Sequence, residues 1–229
     1  MENIVCTGIQ FNIFFDQFPN IRDHAQKMEK EFQEFFPNGF TIFPNPPAVP
    51  MEVAKFAGSS ENGRYSLTVT GVSANFTQNI TDDNSDLISL TENFRNIINK
   101  LYNIIIAIHP DHRILFCGIT MLLKGSVNGN ATELIRDKFL KFSEDENLYD
   151  IATRFTFTKD EQYYINIAVN NFRNQKLESD GIQIQIDIND RYRLNLAQEK
   201  GSYSEENIQN ILVELMIQTI NTKIQKLFS

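Results

Sequence analysis

The chain has no tryptophan, only two cysteines and three histidines, and no long apolar run. The longest uninterrupted apolar stretch, Ile104-Ile105-Ile106-Ala107-Ile108, falls far short of the roughly 20 residues a membrane-spanning helix requires. Met1-Glu2-Asn3-Ile4 lacks the basic and apolar regions of a signal peptide, so the expected compartment is the cytosol. There, Cys6 and Cys117 are expected as reduced core thiols rather than a disulfide. Basic residues are also in deficit. The net charge is -8 and neither half carries a basic stripe, which argues against nucleic acid and anionic membrane surfaces as partners.

The scarcity of histidine constrains the chemistry. No serine stands in a G-x-S-x-G elbow, and neither cysteine has a recognisable active-site context. His24 falls on an amphipathic helical pattern and reads as a solvated helix residue. His109-Pro110-Asp111-His112 is the one cluster resembling a metal-ligand set, since two imidazoles and a carboxylate suit zinc or ferrous iron. The proline works against both rings converging, and no further ligand can be nominated. His109, Asp111 and His112 are therefore expected to form a polar linker. Gly125-Ser126-Val127-Asn128-Gly129-Asn130 joins a strand to a helix but lacks the Gly-Lys-Ser/Thr ending of a phosphate loop. No catalytic residue is assigned and no cofactor is expected.

What the chain does have is phenylalanine, 19 of 229 residues. Most of these rings belong in a core. Adjacent pairs such as Phe14-Phe15 and Phe35-Phe36 point in different directions, however, so some aromatic surface is left for a groove, an interface or a partner.

The chain also has an internal echo. Val5-Cys6-Thr7-Gly8-Ile9-Gln10-Phe11 is restated by Phe116-Cys117-Gly118-Ile119-Thr120-Met121 about 110 residues later, which is the mark of repeated units. The first unit opens on a strand over 4–15, with Ile9, Phe11 and Ile13 alternating with Gln10 and Asn12. A helix over 20–36 follows, then a proline-rich extended segment over 40–51 that contains Pro47-Ala48-Val49-Pro50. Asn62-Gly63 predicts a two-residue hairpin turn, and the phase slip at Gly71 predicts a turn or bulge. Asp82, Asp83 and Ser85 are N-cap candidates for a long helix over 86–108.

The second unit repeats the plan: a strand over 113–124, and a helix from Asn130 to near Phe142 whose start, with Glu133, resembles a capping box. Strands over 150–158, 162–170 and 181–188 follow, then a helix capped by Ser204. Ile182, Ile184, Ile186 and Ile188 alternate strictly with Gln183, Gln185 and Asp187, so one face of that strand is buried. The fold class is α+β: tandem βαβββα units over 1–110 and 111–229, with antiparallel sheet and helices packed on one face. One shared sheet and two abutting lobes both satisfy this pattern.

The Ile186-Asp187-Ile188 strand, the helix closing in Leu227-Phe228 and the strand–helix opening over Phe11–Phe36 resemble a sporadically distributed, functionally uncharacterised bacterial family. The resemblance implies two α+β halves and carries no catalytic residues. The expected function is that of a cytosolic, non-catalytic binding or adaptor protein, using an apolar, phenylalanine-rich face or the groove between the repeats. It would meet a protein partner or a second copy of itself. The alternative is a small-molecule-binding protein or enzyme with its site between the repeats.

Overall fold

The computed structural model describes residues 2–44, 46, 49–81, 86–110, 113–140, 148–173, 176, 178–191 and 203–227. The alternation over the first strand holds: β1 (Glu2–Phe15) buries Ile9, Phe11, Ile13 and Phe15. A short 3-10 turn (Ile21–His24) leads into α1 (Ala25–Glu31), which is shorter than its apolar stripe predicts. Phe32, Phe35 and Phe36 continue that stripe through turns rather than helix, and Phe32 and Phe36 are fully buried. Three small strands follow β2 (Thr41–Ile42): β3 (Phe56–Ser59), β4 (Tyr65–Val69) and β5 (Ser73–Asn79).

The β3–β4 turn corrects an expectation. Ser60 and Tyr65 enclose a four-residue loop rather than a two-residue hairpin, with the Ser60 amide donating to the Tyr65 carbonyl at 3.0 Å. Asn62 Oδ1 accepts from the Arg64 amide instead, and Gly63 supplies the positive φ of 67°. At Gly71 the predicted turn is present. Thr70 Oγ1 accepts from the amides of Val72 and Ser73, and the Gly71 amide donates to Met51 at 2.7 Å.

Asp86 caps α2 (Leu87–Ile108), accepting from the Ser89 amide at 2.8 Å; the candidates Asp82, Asp83 and Ser85 lie outside the described residues. The α2 stripe of Phe94, Ile98, Leu101 and Ile105 is buried to 1% exposure or less. Beyond it, β6 (Ile114–Ser126) leads to α3 (Ala131–Phe139). Asn130 Oδ1 accepts from the amides of Thr132 and Glu133, as its position predicts. Next come β7 (Ala152–Lys159), β8 (Tyr163–Arg173) and β9 (Ser179–Asn189). The last helix begins later than Ser204 suggests. α4 (Ile208–Thr219) follows Asn207, which has a φ of 62° and no side-chain cap, while the Ser204 amide is tied to the Ile114 carbonyl. A π-helical turn (Ile220–Ile224) carries the chain into α5 (Gln225–Leu227).

Among the described residues nine strands form one antiparallel sheet in the order β2-β3-β4-β5-β1-β6-β9-β8-β7. The first strands of the two halves therefore lie side by side at the centre, with Phe11 opposite Ile119 and Ile13 opposite Cys117. One buried cluster runs through both halves under the helices, from Phe56 and Phe76 at one end to Ile167 and Ile186 at the other. Across the middle α2 meets α4. Arg95 pairs with Glu214 at 2.7 Å, and Gln209 donates to Asn99 at 3.3 Å. On the helix side, then, the space between the halves is filled. No described helix is long and apolar enough to cross a membrane.

Candidate functional site: the uncovered face of the sheet

Alternation along the nine described antiparallel strands, broken by register shifts in β1 and near the end of β8, assigns about every second side chain to the face opposite the helices. At a strand spacing of about 4.8 Å the sheet is about 40 Å wide, and among the described residues no helix covers this face. Along its centre the residues are mostly amides and hydroxyls: Gln10 and Asn12 on β1, Asn75 and Thr77 on β5, Thr120 on β6, and Gln185, Asp187 and Asn189 on β9. They are not independently solvated. Gln10 Nε2 donates to Asn12 Oδ1 at 3.2 Å, Asn75 Nδ2 donates to the same oxygen, and Thr77 Oγ1 donates to Asn75 Oδ1 at 3.1 Å.

A second cluster centres on Asp187. Its carboxylate accepts from Asn166 Nδ2 at 2.9 Å, Asn189 Nδ2 at 2.8 Å and Thr120 Oγ1 at 3.3 Å. Thr156 Oγ1 fixes Asn166 in turn, donating to its Oδ1 at 2.9 Å. Such mutual satisfaction holds each amide in one orientation and leaves its remaining donors and acceptors aimed outward.

This cluster floors a hollow of about 430 Å3 that also has Arg154, Tyr164 and Arg191 in its wall. A smaller hollow of about 140 Å3 adjoins it over Ala168 and Gln185. Arg154 and Arg191 are exposed, and neither takes part in an ion pair among the described residues. The Arg191 guanidinium lies 5.4 Å from the centre of the Phe116 ring. Phe116 itself stacks on Phe14 at 4.1 Å, directly across the central strand pair. One aromatic from each half thus meets on the open side, flanked by a cation. The other phenylalanines are largely withdrawn: Phe11, Phe15, Phe32, Phe36, Phe56, Phe76 and Phe94 are all buried to 1% exposure or less.

Of the metal candidate, only His109 lies among the described residues. His109 ends α2 as a buried residue, stacked on Phe18 at 4.0 Å with its Nε2 3.3 Å from the Asp16 carbonyl. Asp111 and His112 lie outside the described residues. Among the described residues no group of three histidine, cysteine, aspartate or glutamate side chains gathers as a metal site would. Both cysteines are free and buried. Burial pushes the Cys6 thiol up to about 11 and drives Cys117 well above the ordinary range, so neither is a poised nucleophile.

Sequence reasoning missed Asp190, which stands just past β9 and is 7% exposed. Its Oδ1 accepts from the Cys117 amide at 2.7 Å, and its own amide donates to the Cys117 carbonyl. Burial raises its carboxyl above the usual range, against the lowering effect of its hydrogen bonds. The folded state therefore holds that proton more tightly than the unfolded chain does. This group favours folding most below the unfolded carboxylate range, and the contribution is lost as pH rises through the raised value. Asp190→Asn keeps an acceptor for the Cys117 amide and removes the charge. It is expected to be more stable than the native chain at pH 7, by a margin that shrinks towards pH 4. Asp190→Ala orphans a buried amide and is expected to cost about 1–3 kcal/mol. Urea unfolding at both pH values checks this; equal destabilisation by the two variants at both would contradict it.

Comparison with known proteins adds no assignment. No protein-family model matches the chain, and no curated protein matches it.

Proposed function

We propose that the chain is a cytosolic, non-catalytic binding or adaptor protein that meets a protein partner, or a second copy of itself, across the sheet face spanning its two halves. The observation that carries this reading is the pair of hydrogen-bonded clusters on that face, Gln10–Asn12–Asn75 on the first half and Thr120–Asp187–Asn166 on the second. Ordered amides beside an aromatic stack lose little freedom on association, which is the property of a prepared binding surface. The compartment is supported by the two free, buried thiols.

With this goes the proposal that the halves descend from one duplicated βαβββα unit. The strand register supports it. Gly8 stands opposite Asn79 on β5, and Gly118 stands opposite Asn189 on β9; Gln10 faces Thr77, and Thr120 faces Asp187. Gln10 and Thr120 also face each other, where a two-fold axis between such halves would pass.

A second reading is favoured by the hollow around Asp187. Two guanidinium groups and a ring of amides suit a small polar ligand bearing an anionic group.

The test compares capture by three immobilised forms of the chain from an extract of its own cells, read by quantitative mass spectrometry. The native chain is expected to retain a partner, and Arg154→Glu/Gln185→Lys/Arg191→Glu is expected to lose it by about tenfold or more. Asn103→Lys, on the outer side of α2, should retain it. Undiminished capture by the sheet-face variant contradicts the proposal.

A further inference from the structure

A separate hollow lies on the helix side of the first half, away from the uncovered face, where α2 passes the start of β4 and the end of β5. It measures about 440 Å3, within the range of small-molecule sites. Phe35 and Tyr65 give it an aromatic surface, their rings edge to face with centres 4.9 Å apart. Leu90 and Ile97 of α2 add aliphatic surface. Gln78 of β5 also lines it, directly opposite Tyr65 in the strand register. Gln78 is only 7% exposed, yet its side-chain amide makes no hydrogen bond among the described residues. A buried amide left in this state is costly, and a ligand group that offers both a donor and an acceptor would satisfy it.

Arg64 sets the charge at the rim. Its guanidinium lies 5.4 Å from the centre of the Tyr65 ring, which holds a cation at the junction of aromatic surface and solvent. Among the described residues that guanidinium takes part in no ion pair and no hydrogen bond. The other charges of the rim, Lys100 and Glu34, are already paired with each other. The Asn79 amide donates to the Arg64 carbonyl at 2.7 Å, so the ladder fixes Arg64 one position from the Tyr65–Gln78 pair. An unsatisfied amide, a ring surface and an uncommitted guanidinium therefore stand side by side. Across from them, Asn93 and Asn96 of α2 are exposed at the mouth.

We infer that this hollow binds a purine nucleoside monophosphate whose base carries an exocyclic amine. A glutamine amide matches the amino edge of adenine with one N–H and one oxygen, the pairing that side chain makes wherever it reads this base. The base lies against Phe35 and Tyr65, which offer ring surface to any flat heterocycle. The planar fork of Arg64 meets the phosphate, and Asn93 and Asn96 offer their amides to the ribose hydroxyls. One mononucleotide needs one such cation, not the basic stripe that a polynucleotide demands and that this chain of net charge -8 lacks.

The experiment is an NMR titration of the full chain with adenosine monophosphate. Adenosine serves as the base without the phosphate, ribose phosphate as the phosphate without the base, and inosine monophosphate as the nucleotide without the amine. Saturable one-site binding of adenosine monophosphate is expected, with shifts centred on the Gln78 side-chain amide, Tyr65, Leu90 and Ile97. The other three compounds should bind at least about tenfold more weakly. Arg64→Gln, at an exposed turn position, should weaken adenosine monophosphate about tenfold while leaving adenosine unchanged. Gln78→Leu should weaken both about tenfold without lowering the melting temperature, since it replaces an unsatisfied buried amide by an apolar group. Should Gln78→Leu fail to fold, the contrast between the two ligands in Arg64→Gln still decides. Absent saturation, equal affinity for ribose phosphate or inosine monophosphate, or shifts centred on the Asp187 hollow overturns the inference.

Discussion

Phe76→Ala is expected to destabilise the chain by about 3–5 kcal/mol, a large fraction of the about 5–15 kcal/mol that holds an ordinary domain folded. Phe76 is fully buried on β5, and its ring lies within 6.1 Å, centre to centre, of Phe32, Phe35, Phe36, Tyr65 and Phe94. Those rings come from the turns after α1, from β4 and from α2, so truncation opens a cavity bounded by three elements at once. Large, stiff rings cannot collapse into the space left, which places the cost towards the upper end for such substitutions. Leu67 and Phe11, directly opposite Phe76 on the two neighbouring strands, are themselves fully buried. Urea unfolding read by circular dichroism checks the result; a loss under about 1 kcal/mol would show that this aromatic cluster is not the core of the first half.

Cutting the chain at Pro110 is expected to leave two pieces, neither of which folds alone. The cut would strip β1 and β6 of each other along nearly their whole length, from Glu2 opposite Ser126 to Phe15 opposite Ile114. Each fragment would then present a bare central edge, the geometry that promotes aggregation. The faces of α2 and α4 that meet through Arg95 and Glu214 and through Asn99 and Gln209 would be exposed together with it. Mixing or co-expressing the fragments is expected to restore the native spectrum. A cooperative unfolding transition from either fragment by itself would contradict the single-body account.

Much of this architecture was legible in the chain because alternation and helical stripes are local signals. Ile182, Ile184, Ile186 and Ile188 announced a half-buried strand, and the same pattern assigned Gln183, Gln185 and Asp187 to the other face. The long stripe of α2 was equally plain, down to Ile108. The joining of the halves into one sheet was not legible, since the β1–β6 pairing is a long-range contact that no local pattern encodes. Turn chemistry misled where a side chain intervened: Asn62 bonds the Arg64 amide and opens the hairpin loop wider than its dipeptide suggests.

The candidate surface was only half legible. Asp187 could be placed on a polar face, but Asn166, Thr120 and Thr156 reach it from other strands by register alone. Asp190 gave no signal, because its burial comes from the close of the β6–β9 ladder rather than from its neighbours in sequence. The phenylalanine excess was legible as a core, and Phe139, Phe155 and Phe157 remain at the surface of the second half. Phe14 and Phe116 meet on the uncovered side across the seam.

The most direct measurement follows the side-chain amides of the labelled chain by NMR while the captured partner is added. Asparagine and glutamine report from both sides of the molecule: Gln10, Asn12, Asn75, Asn166 and Asn189 on the uncovered face, and Asn93, Asn96 and Asn103 on the outer side of α2. The account predicts that the first group shifts or broadens in proportion to bound partner while the second stays in place. Shifts confined to the α2 group, with the sheet-face amides unmoved, would contradict it.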